Sequence, residues 1–249
     1  MKLAIISDIH SNVFALQAVL DDIYARGADR IINLGDTLYG PMEPKATYDL
    51  LAYCDIISIC GNQDRMLYEM PSKDLAENAT FQFVLNDLGE TPVEWLKTLP
   101  FDCQITNQIY ACHGSPTNDV TYLLEDISCG KTQIRQDGEI FQLLNGQISS
   151  IILCGHTHIP RVVELSSSQL IVNPGSVGLP AYTDDQPVVH SMETHSSHAS
   201  YTMLEASSSG WDIQQLKIAY DVQSAVVAAN EQGRTDWAHY LATGRGDKI

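Results

Sequence analysis

Five short polar clusters carry residue types able to hold divalent metal: Asp8-Ile9-His10, Gly35-Asp36, Gly61-Asn62-Gln63-Asp64, Cys112-His113-Gly114 and Gly155-His156-Thr157-His158. Two carboxylates (Asp8, Asp36), one carboxamide (Asn62) and four imidazoles (His10, His113, His156, His158) make an all-oxygen-and-nitrogen donor set. Such a set suits cations of intermediate hardness such as Mn, Fe or Zn, and one shared carboxylate lets seven residues serve two ions.

The clusters sit where strands should end. Residues 2–7 form an apolar run with a polar stop, and Val13, Leu16, Leu20 and Ile23 then recur as the stripe of an amphipathic helix closed by Gly27. Residues 31–34 and 55–60 read as further strands with a helix over 45–53 between them. This β-α-β order implies a largely parallel sheet, whose strand ends gather ligands on one edge. Helical spacing at Phe81, Val84, Leu85 and Leu88, and the capping-box pattern Thr91-Pro92-Val93-Glu94 with Pro at the first helical position, mark a helical, cap-like insertion over about 65–100. A strand is expected over 101–112 and a second insertion over about 115–147, with a helix at 133–145. Strands follow at 150–154, 169–173, 200–205 and 213–219. A helix opened by Asp221 and a last one around Trp237–Leu241 close the chain. Residues 183–199, rich in Asp, Ser and His, read as a long loop. No repeat or linker divides residues 1–249, so one domain is expected.

The 249 residues carry a net charge of −17, with 14 Lys+Arg. That balance argues against long nucleic acid, whose backbone is held by Lys and Arg through counterion release. No apolar run approaches the length of a membrane span or a signal-peptide core, and the six cysteines include no Cys-x-x-Cys pair. A cytoplasmic protein with reduced thiols is the expectation. An anionic substrate would therefore need a local source of positive charge.

The five clusters, in this order and each at a strand end, resemble the signature of the calcineurin-like metallophosphoesterase superfamily, and Asn173-Pro174-Gly175-Ser176-Val177-Gly178 is similar to a turn of its small prokaryotic phosphodiesterase branch. The protein-phosphatase branch fits poorly, since no Gly-Asp-x-x-Asp-Arg-Gly block is present and Asp36 is followed by Thr37-Leu38-Tyr39-Gly40-Pro41. The resemblance implies an α/β fold: a four-layer α-β-β-α sandwich with helical insertions. It also implies that Asp8, His10 and His158 hold one divalent ion, that Asn62, His113 and His156 hold another, and that Asp36 bridges them. Two ions of Mn, Fe, Zn or Ni would supply about +4 locally. The implied activity is hydrolysis of a small phosphorylated substrate by a metal-bridging hydroxide, with Asn62 and Gln63 as catalytic residues and Asn12 and Arg65 as further donors to the phosphoryl group.

One position departs from much of the superfamily: Gln63 stands where a His follows the ligand Asn. A carboxamide donates a hydrogen bond but delivers no proton. The expected substrates are therefore those whose leaving group departs readily as an anion, a small phosphodiester or a nucleotide-polyphosphate anhydride such as a dinucleoside polyphosphate. His190, His195 and His198 are candidate substitute acids. Asp64 is read as a cap or a partner of the ligands, Arg161 and Tyr182 as edge-strand packing, and Lys131 and Arg135 as a solvated face. A phosphomonoesterase or protein phosphatase, and a non-catalytic scaffold of the same fold, are the competing readings. Oligomeric state is not legible from the sequence.

Overall fold

The computed structural model describes residues 1–246. The chain runs β1 (Lys2–Ile6), α1 (Val13–Arg26), β2 (Arg30–Asn33), α2 (Pro44–Ala52), β3 (Ile56–Ser58), then four helices, α3 (Asn62–Glu69), α4 (Ser72–Glu77), α5 (Ala79–Leu88) and α6 (Glu90–Thr98). There follow β4 (Asp102–Gln104), β5 (Ile109–Cys112), β6 (Glu125–Asp126), β7 (Gln133–Ile134), α7 (Asp137–Leu144), β8 (Ile151–Leu153), β9 (Arg161–Glu164) and β10 (Leu170–Asn173). The chain closes with β11 (Ala181–Asp184), β12 (His190–Glu193), β13 (Ala199–Ser207), β14 (Gly210–Ile218), α8 (Val222–Glu231) and α9 (Thr235–Thr243).

Two five-stranded sheets face each other, ordered β14-β13-β1-β2-β3 and β4-β5-β8-β10-β9. In each, three strands run parallel: β1, β2 and β3 in one, β5, β8 and β10 in the other. Strand alternation explains the layering. Leu3 and Ile5 point into the space between the sheets with Ile32, Leu34, Ile109, Ala111, Ile151 and Leu153. Ala4 and Ile6 point the other way, onto Leu16, Val19 and Ile23 of α1. On the second sheet Tyr110, Ile152 and Ile171 pack against Ile140 and Leu144 of α7. Helices outside both sheets complete the expected four-layer α-β-β-α sandwich.

A separate helical core joins the 65–100 segment to the C-terminal hairpin: Leu67, Phe81, Val84 and Leu96 meet Ala225, Ala229, Trp237 and Leu241. Several expected boundaries move. The 101–112 strand is a hairpin of β4 and β5, with Asp102 opposite Cys112, because polar Thr106-Asn107-Gln108 turns the chain. The helix expected over 133–145 is confined to α7, after the short β6-β7 pair. α6 starts at Glu90 after Gly89, whose φ of 67° breaks α5; Pro92 thus falls within the first turn, where backbone N–H groups lack intrahelical partners anyway. Within 183–199, β11 and β12 form an antiparallel hairpin with Tyr182 opposite Met192.

Candidate metal centre and its cavity

All seven candidate ligands lie at the carboxyl ends of the parallel strands. Asp8 and His10 follow β1, Asp36 follows β2, and Asn62 opens α3 after β3. From the facing sheet, His113 follows β5, while His156 and His158 follow β8. Two groups result, Asp8–His10–His158 and Asp36–His113–His156, each with one ligating atom per residue within 4.8 Å of the others. Asn62 joins the second group, its Oδ1 3.0 Å from His113 Nε2. All seven residues except His156 are buried, and His156 is half-buried.

Backbone carbonyls set the imidazole orientations. Nδ1 of His10, His113 and His158 lies 3.0, 2.8 and 2.7 Å from the carbonyl oxygens of Tyr39, Leu34 and Leu179. Donation from Nδ1 leaves Nε2 as the coordinating atom. His10 and His158 Nε2 then face each other at 3.1 Å, and Asp8 Oδ1 is buried with no hydrogen-bond partner. Two lone pairs and a carboxylate oxygen converging in a buried site fit a divalent cation, and the donor types fit it equally well.

Electrostatics follow the same layout. Burial, with His158 adding to it, pushes His10 down to about 4, and burial with His113 does the same to His156. Burial opposes the charged form of Asp8, yet the His158 imidazole holds its carboxyl well below the usual range. Burial also opposes protonation of His113, but Asp36 beside it, at 3.4 Å, raises it to about 10. Asp64 accepts from Thr37 N, Leu38 N and Gly61 N at 2.9, 3.1 and 3.3 Å, tying the Asp36 loop to the Asn62 loop. Burial, and then the neighbouring Asp36 charge, push Asp64 up to about 7.

The loops reach this geometry at a conformational cost. Asp8, His10, Asp36, His156 and His158 all have φ between 50° and 68°, the left-handed region. Close backbone approach explains two glycines: a Cβ on Gly61 would overlap Asp36, and one on Gly178 would overlap the carbonyl of Ile9. The Asn173–Gly178 turn clasps the Asp8 loop, with Ser176 Oγ donating to the Asp8 carbonyl at 2.7 Å and Gly178 N donating to the same oxygen at 3.0 Å.

The centre opens into a cavity of about 220 Å³. Gln63 lines it; its backbone N donates to Asp36 Oδ1 at 2.8 Å, and its side-chain Oε1 is buried without a partner. Two expected donors are directed elsewhere. Asn12 is fully buried as the N-cap of α1, accepting from Ala15 N and donating to Gly178 O and Tyr220 Oη. Arg65 is held by Asp119, at 2.7 and 3.0 Å, and by Glu69 at 2.9 Å, and neither its side chain nor that of Asn12 borders the cavity. Among the loop histidines, His195 and His198 are exposed. His190 is buried behind Tyr122, whose hydroxyl lies 3.0 Å from its Nε2.

Arg161 pairs with buried Glu125 at 3.1 Å, and Arg135 donates to Tyr122 O. Tyr182, assigned from sequence to edge packing, borders the cavity and donates to the His156 carbonyl at 3.1 Å. Sequence reasoning missed the outer wall altogether: Tyr39, Asp184, Arg234, Asp236 and Trp237. The apolar spacing in α9 announced a buried face, but nothing in it pointed toward a site some two hundred residues upstream.

Comparison with known proteins supplies the rest. The chain is 25% identical over 261 residues to an uncharacterized protein of Methanocaldococcus jannaschii, covering 94% of each. Its fold matches the crystal structure of a metallophosphoesterase from Sphaerobacter thermophilus with a TM-score of 0.75 and 24% identity, over 98% of this chain and all of that one. A putative diadenosine tetraphosphatase matches at a TM-score of 0.50 with 15% identity, over 87% of this chain and 93% of that one. Among the described residues no helix is long and apolar enough to cross a membrane. The model of the calcineurin-like phosphoesterase superfamily domain matches residues 1–197, the span that holds every candidate ligand, and the chain belongs to that superfamily.

Proposed function

We propose that the protein is a dinuclear-metal phosphoesterase that hydrolyses a small phosphodiester or a nucleotide-polyphosphate anhydride. The observation that carries this reading is the pair of ligand groups, Asp8–His10–His158 and Asp36–His113–His156, each with one imidazole or carboxylate atom per residue within 4.8 Å of the others. Asp8, His10 and His158 would hold one ion and Asn62, His113 and His156 the other, with Asp36 between them. When bound, such a pair supplies Lewis acidity and lowers the pKa of water at the site.

The chain's own groups do the positioning. Carbonyls fix the imidazoles, Asp64 fixes the two loops, and the Gln63 carboxamide is placed to hydrogen-bond a phosphoryl oxygen. Neither Asn62 nor Gln63 delivers a proton, which supports leaving groups that depart as anions. A cavity of about 220 Å³ walled in part by α9 suits a small molecule better than a phosphorylated loop of a folded protein, which favours the phosphodiesterase reading over the protein-phosphatase one.

The test is hydrolysis of bis(p-nitrophenyl) phosphate and p-nitrophenyl phosphate by protein loaded in turn with Mn, Fe, Zn and Ni, alongside elemental analysis. Diester cleavage that disappears in His113→Ala and on chelation is expected. Full metal loading with no cleavage of either ester would favour the scaffold reading.

A further inference from the structure

Beyond the span matched by the family model, Arg234, Asp236, Trp237 and Tyr240, in α9 and just before it, add to the outer wall of the cavity. Arg234 is the one Lys or Arg among its described lining residues, so at first sight it is the hook for a second phosphate. Its bonding argues otherwise. Nε donates to both oxygens of Asp236, at 2.9 and 3.2 Å, Nη2 donates to Asp236 at 2.6 Å, and Nη1 donates to Thr80 of α5 at 2.8 Å. The charge is offset by Asp236, and Asp236, Thr80 and the Tyr39 hydroxyl beside it hold the guanidinium in place. Its Cζ lies over the Trp237 ring, 5.3 Å from the centroid.

Charge in the outer half points the same way. Asp184 and Asp236 both line it against the single Arg234, leaving the wall net negative. A further phosphate there would meet like charge, whereas ligand hydroxyls would find carboxylate acceptors. A rigid guanidinium plane backed by an indole is a stacking platform for a flat ring, since Arg planes and aromatic side chains both stack nucleobases. Trp237 is itself held edge-on by His10 and Tyr39, with centroids 5.6 and 6.1 Å away, so the platform is fixed relative to the metal ligands.

We infer that Arg234, packed over Trp237 and flanked by Asp184 and Asp236, receives an uncharged nucleoside moiety, so that the substrate is a nucleoside phosphodiester whose other ester group departs readily as an anion, and not a polyphosphate. This rests on the proposed phosphoesterase activity and selects within it.

Two measurements test it, one independent of turnover. Adenosine added to the purified full-length protein should quench tryptophan fluorescence saturably, and Arg234→Lys, which keeps the charge but not the plane, should weaken its binding by about tenfold. Pyrophosphate should bind no more tightly than orthophosphate. In the metal-loaded enzyme, thymidine 5′-p-nitrophenyl phosphate should show a KM about tenfold below that of methyl p-nitrophenyl phosphate, and R234K should collapse that ratio toward one.

Absence of adenosine binding, or pyrophosphate binding that exceeds orthophosphate and is retained in R234K, overturns the inference whether or not esters are cleaved. Equal KM values for the two esters overturn it while leaving the phosphoesterase reading intact. If neither ester is cleaved with any metal, the phosphoesterase reading fails, and the adenosine titration still decides the role of Arg234.

Discussion

Replacing Asp64 probes how the two ligand loops are held. Its carboxylate accepts three backbone N–H groups, from Thr37, Leu38 and Gly61, all buried. Asp64→Ala leaves all three without an acceptor, at roughly 1–3 kcal/mol each, so a loss of roughly 3–9 kcal/mol is expected. That is a large share of the roughly 5–15 kcal/mol that holds a typical domain together. Asp64→Asn keeps an oxygen toward Thr37 and Leu38 and loses the acceptor at Gly61, while removing the like charge beside Asp36. Its cost should be no more than roughly 1–3 kcal/mol.

The two variants also separate by pH. Asp64 titrates at about 7 in the folded protein against 3.8 for the ordinary group. Between those values the folded state holds a proton that the unfolded chain has released, so this group's contribution to stability falls as pH rises from about 4 to 7. That decline should be missing in D64N. Urea denaturation of chelator-treated protein across this range measures both effects. An Asp64→Ala variant within about 0.5 kcal/mol of the wild type, or D64N and wild-type curves that stay parallel from pH 4 to 7, would falsify the clamp.

Metal loading should be pH-dependent at one group and flat at the other. His113, raised to about 10, is protonated at neutral pH in the metal-free protein, so an ion at Asp36–His113–His156 must displace that proton. Its affinity should rise about tenfold per pH unit between 7 and 9, with one proton released. Calorimetry in two buffers of different ionisation heat counts it. His10, near 4, gives the Asp8 group no such slope. Gln63→His should speed alkyl phosphodiester cleavage by about 100-fold or more while moving aryl esters little, read from paired rate profiles. Gly61→Ala should push Asp36 out of register and lower metal stoichiometry even where circular dichroism is unchanged.

The site was legible where chemistry and local order coincide. Each candidate ligand ends an apolar run, so residue type and position could be read together, and α1 announced itself by spacing. Asn12 carried a second local signal, a cap residue just ahead of the apolar stripe, which explains its place in the structure better than a substrate contact does. Arg65 likewise stands four residues before Glu69 on one helix face, while its partner Asp119 is brought in only by the tertiary fold. The outer wall was illegible for the same reason. Arg234 and Asp236 are two residues apart on the chain, but their relation to His10 and Tyr39 arises only when α9 docks on the insertion helices. The β4-β5 turn and the β11-β12 hairpin were hidden because short polar strands lack the alternation that marks a half-buried sheet.

The left-handed backbone at Asp8, His10, Asp36, His156 and His158 bears on the history of such a chain. Each costs roughly 1 kcal/mol relative to a residue free of a Cβ clash. Were the fold kept only as a docking platform, mutation to Gly at any of these positions would be rewarded with stability, and drift would remove the imidazoles and carboxylates one by one. In this chain all five positions carry a carboxylate or an imidazole. A metal-holding role accounts for ligand-type side chains at five left-handed positions where glycine would be the relaxed choice.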